Sequence, residues 1–192
     1  SCQTAMYHII EGMVRWFAPI LSFTAEELWA HMPGERSESI FLQQWYAFPE
    51  IAGDNMGLDF WQQVLEVREA VGKELENLRV AGSIGSSLAA EVDLYCGAEV
   101  YTRLMSLEDE LRFVLIASYA RVHRDTEKTG SAVHVKLENG DELWVAVSAS
   151  AHVKCARCWH QREDVGTNDA HPELCGRCVD NVDGDGEQRK FA

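Results

Sequence analysis

Apolar residues recur at three- and four-residue intervals through the first part of this chain, and further along the period shortens to two. Met6, Ile9, Ile10, Met13, Val14 and Phe17 share one helical face within Thr4 to Ala18. Pro19 then ends or kinks that helix, because proline lacks an N–H and its ring clashes with the preceding turn. Thr24-Ala25-Glu26-Glu27 reads as a capping box that starts a second, short helix through Trp29, and Pro33-Gly34 stops it. Glu35 to Asn55 has the composition of a loop, with Trp45, Tyr46, Phe48 and Pro49 expected to pin it onto the helices. A long amphipathic helix comes next, its apolar positions at Leu58, Trp61, Val64, Leu65, Val71, Leu75 and Leu78. Arg68, Glu69, Lys73, Glu74 and Glu76 fall on its other faces, and Gly82 and Gly85 bracket its exit.

Beyond Gly85 the pattern changes. Glu91 to Tyr95 alternates as a strand does, Ala98 to Met105 suits a short helix, and Arg112 to Val122 suits a second strand. Asn139-Gly140 joins Ala132–Leu137 to Glu142–Val147 as a hairpin, since both turn residues accept positive φ. Residues 88–150 therefore read as a small α/β unit, and Ser148 to Val153 as a link into a cysteine-rich C-terminal segment.

That segment contains Cys155-x-x-Cys158 and Cys175-x-x-Cys178, separated by sixteen residues. Two residues between paired cysteines allow a tight knuckle that turns both sulfurs toward one point, and two knuckles complete a tetrahedral site. One Zn2+ held by four thiolates has no open position, so the metal is expected to be structural and to supply folding energy. The segment needs it: from Arg157 onward only Trp159, Val165, Leu174, Val179, Val182 and Phe191 are available to bury. Two disulfides or a redox-active CxxC are the alternatives. The doubled motif with this gap fits a zinc ribbon, and a thioredoxin-like CxxC would need a βαβ context that is missing. His160 and His171 lie inside the loop and are expected at the surface, because four thiolates already complete the coordination.

A length of 192 residues allows one or two domains plus a metal module. The chain starts at Ser1 directly before a helical pattern, which suggests a piece of something longer. No run of about eighteen apolar residues and no charged-then-apolar leader is present, so neither a membrane partner nor a signal peptide is expected, and the cytoplasm is the expected location. Cys2 and Cys96 stand apart from the cluster, as free or buried thiols in a reducing compartment would. The net charge of −14 argues against an indiscriminate polyanion binder, whose affinity comes from many Lys/Arg–phosphate contacts. Any nucleic-acid binding has to be local and shape-directed.

Several segments together carry a resemblance. FAPILSFTAEELW, IFLQQW, VREAVGKELENLR with IGSSLAAEV, and finally KCARCWH with LCGRC occur in that order along the whole chain. Together they resemble the C-terminal end of bacterial isoleucyl-tRNA synthetases. The Phe17, Pro19, Phe23, Glu26, Glu27, Trp29 set looks like the helical anticodon-binding domain shared by several class I synthetases. The terminal four-cysteine ribbon is what points to the isoleucyl family. The resemblance implies an α+β chain in three parts: an anticodon-binding helical bundle portion (residues 1–56), a long helix with a small α/β junction unit (57–150), and a four-cysteine zinc ribbon (151–192). It implies tRNA-Ile as partner, no DNA, and a monomeric full-length enzyme. ATP-dependent adenylation, transfer and editing would belong to sequence outside this chain, where neither nucleotide-binding signature of the class is found.

RNA recognition needs planar groups for unpaired bases and cations for phosphates. Around the ribbon the candidates are Lys154, Arg157, Trp159, Arg162, Arg177, Arg189 and Lys190, with His160 beside them; on the long helix they are Arg68 and Arg79, with Arg15 and Lys73 as further basic residues of the helical part. Arg157 and Arg177, inside the knuckles, could equally neutralise a tetrathiolate site of net charge about −2. Arg68 could equally support its helix through Glu69 or Glu76. The rival classes are the zinc finger of a DNA-repair glycosylase and a zinc-stabilised protein-interaction module. The first would place an arginine in a basic hairpin between the cysteine pairs, whereas Trp159 to Leu174 holds only Arg162 among several acids.

Overall fold

The computed structural model describes residues 2–50 and 56–191, and the chain forms two compact units, Ser1–Gly53 and Asp54–Ala192. The side chain of Cys2 and residues 51–55 of the predicted loop lie outside the described residues. Among those residues no helix is long and apolar enough to cross a membrane.

In the first unit α1 (Cys2–Phe17) and α2 (Ser22–His31) are joined by a tight turn in which Ile20 and Leu21 both donate to the Phe17 carbonyl, at 2.9 and 2.7 Å. Helix α2 begins two residues before the predicted capping box, and no side chain caps it. The carboxylate of Glu26 instead accepts from Ser39 Oγ at 3.2 Å and Ile40 N at 3.1 Å, capping a short 3-10 turn at Ile40–Leu42. A tertiary use of the acid has replaced the local one. Of the apolar face predicted for α1 only Val14 is fully buried, packed with Ala18, Ala25, Trp29 and Ile40. Met6 and Ile9 are exposed, and Phe23 at the start of α2 is 93% exposed.

The unit is held as much by one buried acid as by this small core. Glu11 accepts from Arg15 and from Arg36, each at 2.5 Å, and both guanidinium groups lie against the Trp29 ring at 4.9 and 4.4 Å. The Trp29 indole donates to the Ser37 carbonyl at 2.9 Å. In the segment after the 3-10 turn, Tyr46 bonds His8 Nδ1 at 2.6 Å and Phe48 packs on Trp16, as expected, but Trp45 is 74% exposed and pins nothing. Phe48 lies so close to α1 that a Cβ on Gly12 would stand 2.6 Å from its Cζ.

The second unit is built on α3 (Leu58–Val80). Its buried stripe runs through Phe60, Val64, Val67, Val71 and Leu75, so Leu58 and Leu65, predicted on the core face, are 84% and 54% exposed. The predicted stripe merges two neighbouring faces; the sheet selects the one that carries Phe60 and Val67. The sheet has strand order β2-β1-β4-β3, formed by β1 (Ala90–Cys96), β2 (Tyr119–Arg124), β3 (Val133–Lys136) and β4 (Glu142–Ala149). Strands β1 and β2 are parallel and linked through α4 (Ala98–Met105) and α5 (Leu111–Leu115); β1–β4 and β4–β3 are antiparallel. Val92, Leu94, Leu143 and Val145 form one core with α3, α4 and α5.

The strand predicted over Arg112 to Val122 is two elements. Residues Leu111–Leu115 are helical; Ile116 at φ +55° reverses the chain, Ala117 N closes on the Arg112 carbonyl at 3.0 Å, and only then does β2 begin. A left-handed β-branched residue is a rare helix stop that carries no sequence signal of its own. The predicted hairpin is present: Gly140 adopts φ +92° and Leu137 donates to the Asp141 carbonyl at 2.9 Å.

The Glu11 pair sets an acid limit for the first unit. Burial opposes ionisation of Glu11, but hydrogen bonds from Arg36, Arg15 and Tyr7 outweigh it and hold the carboxyl at about 2. A folded-state value below the ordinary 4.5 stabilises the fold above that pH and loses its contribution as pH falls through about 2. Protection of the Trp29 indole N–H, read by NMR, should therefore decline between these two values in the parent chain. Glu11→Gln should abolish that step and cost the unit about 3 kcal/mol near neutral pH, because two arginines lose their buried partner.

Candidate metal centre and its basic surroundings

The four cysteines come from two knuckles. The first is the turn of a small hairpin between β5 (Val153–Lys154) and β6 (Gln161–Arg162), closed by Cys155 N donating to the His160 carbonyl at 2.9 Å and Trp159 N to the Cys155 carbonyl at 3.0 Å. Trp159 makes the turn at φ +65°, a conformation that is uncommon for a bulky residue. The second knuckle is the start of α6 (Gly176–Asp183), with Cys175 just before the helix and Cys178 in its first turn. Ala156 N to the Glu173 carbonyl, 3.0 Å, ties the knuckles together. Asp164 accepts from Gly176 N at 2.9 Å, and a Cβ on Gly176 would lie 2.9 Å from that carboxylate oxygen, so a side chain there would displace the carboxylate from this contact.

All four sulfurs lie within 4.8 Å of one another, and Cys158 and Cys175 are 3.7 Å apart. Tetrahedral Zn–S bonds of about 2.3 Å place sulfurs about 3.8 Å apart, whereas a disulfide needs about 2.05 Å. The cysteines are unpaired, and no histidine belongs to the cluster. The donor set fits a closed zinc site.

Electrostatics agree. Burial opposes the Cys158 thiolate, but Arg177 and the His160 peptide N–H outweigh it and bring the thiol down to about 7. Cys155 is lowered too: burial is outweighed by peptide N–H groups of Cys158, Cys175 and Arg157. Cys175 is pushed up by burial and by the Cys158 charge, and Cys178 is pushed up by burial although Arg157 opposes it. The surroundings thus favour the thiolate at two of the sulfurs and oppose it at the other two, which is the pattern a bound cation would complete. Arg157 Nη1 donates to Cys178 Sγ at 3.6 Å; Arg177, near Cys158, is also paired with Glu187 at 3.0 Å.

His160 is not at the surface as predicted; it is 7% exposed, with neither ring nitrogen hydrogen-bonded. Burial, then the positive charges of Arg112 and Arg177, lower it to about 4, so it is neutral and packs edge-on against Phe113 at 5.7 Å. It is buried because the hairpin docks on the sheet. Gln161 N donates to Ser118 Oγ at 2.6 Å, Arg162 to the Ser118 carbonyl at 3.3 Å, and Glu163 N to the Tyr119 hydroxyl at 3.3 Å. His171 pairs with Asp183.

The basic candidates divide. Arg162 lies over the Tyr119 ring at 4.3 Å, and Arg189 lies over Phe113 at 4.3 Å while pairing with Glu187 at 2.9 Å. Lys190 pairs with Glu108 at 2.7 Å, and Arg79 with Glu76 at 2.6 Å. Lys73 takes Glu69, so neither acid expected for Arg68 is engaged with it, and Arg68 is exposed. At the hairpin tip Trp159 is 60% exposed with Lys154 Nζ 4.8 Å from its ring centre. Phe113, Ser118 and Glu187, which organise this surface, carry no sequence signal; Phe113 falls within the strand predicted over Arg112 to Val122.

Two family models match the chain. One, described as the anticodon-binding domain of tRNA ligase, covers residues 1–94; the other, a zinc finger found in FPG and IleRS, covers residues 154–181. A helical anticodon-binding segment followed by a four-cysteine finger defines a portion of a tRNA ligase. The isoleucine–tRNA ligases of Thioalkalivibrio sulfidiphilus, Halorhodospira halophila and Saccharophagus degradans are 58%, 55% and 53% identical to it over its whole length. The chain belongs to the isoleucine–tRNA ligase family, and it spans about a fifth of the length of these relatives.

Removal of one ligand should expose the role of the metal. Cys175→Ser is expected to lower bound zinc from one equivalent to none, measured by elemental analysis. Amide exchange should then show loss of protection across the ribbon with the four-stranded sheet retained, because the sheet has its own core. Acidification should release zinc as well, since protons compete for all four sulfurs.

Proposed function

We propose that this chain is the tRNA-reading part of an isoleucine–tRNA ligase, binding tRNA-Ile while ATP-dependent activation and transfer take place in the remainder of a monomeric cytoplasmic enzyme. The single observation that carries this is the hairpin tip: Trp159, held solvent-facing in a left-handed turn beside the ligand Cys158, with Lys154 alongside. A backbone conformation that disfavours a bulky side chain makes sense where that side chain must face a partner. The full-length likeness to isoleucine–tRNA ligases supports the identity of the partner.

The three parts divide the work. Residues 1–56 address the anticodon stem-loop, residues 57–150 set the spacing, and residues 151–192 hold the RNA at a metal-stiffened tip. Zinc supplies rigidity, not chemistry, because four thiolates leave no position for water or substrate. Trp159 stacks on an exposed base, while Lys154, Arg162 and, from α3, Arg68 and Arg79 meet phosphates. Arg157 and Arg177 balance the sulfur charge, and Arg189 and Lys190 fasten the tail that surrounds them.

The test is a titration of zinc-loaded and chelator-stripped chain against tRNA-Ile, a noncognate tRNA and lesion-bearing duplex DNA at one salt concentration. Preference for tRNA-Ile that disappears with the metal is expected, with Trp159→Ala weakening it about tenfold. Preference for the DNA, or equal affinity for all three, would overturn the proposal.

A further inference from the structure

Within the second unit, helices α3, α4 and α5 all join the core on one face of the four-stranded sheet, and the other face carries none of the three. Strand alternation decides what that open face presents. Register sets His123, Tyr95, Trp144 and His134 side by side across β2, β1, β4 and β3. Tyr95 and His123 stack with centroids 4.9 Å apart, and His134 lies 5.1 Å from Trp144. Tyr95 is buried within this row, Trp144 is half-buried and His134 is exposed. Lys128, in the loop before β3, holds Nζ 4.0 Å from the Trp144 ring centre.

Of the acids that the strands place on this face, Glu91 and Asp93 are engaged by partners, while Glu142 stays exposed. Glu91 accepts from Arg121 at 2.5 Å and Ser150 at 2.7 Å, Asp93 pairs with His123 at 2.7 Å, and Glu142 at the rim is 3.7 Å from His134. Lys128 and Lys136 have no carboxylate partner among the described residues. An unpaired cation against an aromatic ring, with a second unpaired cation on the neighbouring strand, in a chain of net charge −14, is what stacked bases and phosphates call for, and the ionic groups flanking the rings suit an apolar protein surface poorly. The face also continues into the ribbon, because Arg162 lies over Tyr119, which stands on the same side of β2 as Arg121 and His123.

We infer that this ring row is a second RNA surface, one that takes unpaired nucleotides, an inference that rests on the tRNA role proposed above. A base stacks on Trp144, and Lys128 shifts from the ring to the adjoining phosphate. Duplex RNA is excluded, since its bases are not free to stack.

The experiment uses the zinc-loaded chain with three probes: an unstructured RNA of about ten nucleotides, within the range such surfaces cover, a blunt RNA duplex of equal length, and tRNA-Ile. Trp144→Leu should weaken single-strand binding about tenfold. Lys128→Gln, at an exposed loop position where folding is not at stake, should flatten the slope of log affinity against log salt by about 0.7, a change that a structural role would not produce. If both variants bind every RNA as the parent does while Trp159→Ala weakens tRNA-Ile binding, the sheet surface is refuted and the ribbon reading stands. A preference for the duplex also refutes it, and a parent chain that binds none of the three probes removes both proposals together.

Discussion

Four sulfurs confined to a volume a few ångströms across cannot all ionise without a cation, and the C-terminal part of this chain is organised around that constraint. Against their burial, peptide N–H groups and Arg177 favour thiolates at Cys155 and Cys158, while burial opposes ionisation of Cys175 and Cys178, at Cys175 together with the Cys158 charge. Zinc resolves the conflict and in doing so fixes two knuckles that share little apolar surface: Val165 and Leu174 are the hydrophobic residues packed against the cysteine cluster. Binding energy of the metal therefore takes the place of a core.

The ribbon is nevertheless not an independent bead. Ser118, fully buried where β2 begins, donates to the Leu88 carbonyl at 2.5 Å and accepts from Gln161 N, so one hydroxyl links the sheet to the metal hairpin. Phe113 is met by Arg112, Arg177, Arg189 and His160, an arrangement in which an aromatic face offsets the desolvation of several guanidinium groups. The tail closes the assembly: Glu110 accepts from the peptide N–H groups of Lys190 and Phe191 at 2.6 and 2.8 Å, and the Phe191 ring joins the main core. These contacts fasten the cysteine knuckles and the tail to the sheet.

The sequence makes visible what depends on local spacing. The cysteine pairs, the long helix and the Asn139-Gly140 hairpin are each specified by residues within a few positions of one another, and the structure has all three. The hidden features depend on contacts across the chain. Glu26 has the spacing of a local cap but caps a turn fourteen residues away; Ile116 stops a helix by a backbone conformation that its side chain disfavours; His160 is buried only because the hairpin meets α5. The misjudged face of α3 has the same origin, since its apolar positions spread over more than one side and only the sheet decides which is covered. Of the proposed RNA contacts, the ribbon tip is suggested by the residues around the cysteines, whereas the ring row across the sheet exists only once strand order and register are known.

This distribution of charge bears on how an acidic chain can hold a polyanion. With a net charge of −14 the long-range field repels RNA, and screening at physiological salt confines that repulsion to about 8 Å. Inside that distance the sign of the local surface decides, and the cations of this chain are not spread evenly. Arg15, Arg36, Arg177 and Lys190 are tied to specific acids, which leaves Lys128, Lys136, Lys154 and Arg68 among the cations free of such pairing within the described residues, two of them set against tryptophan rings. A ring beside an ammonium group attracts a nucleotide by stacking and by charge at one point, while the surrounding acids penalise any RNA that is not shaped to reach it. On the proposed tRNA role, discrimination comes from where the few free cations stand rather than from how many there are.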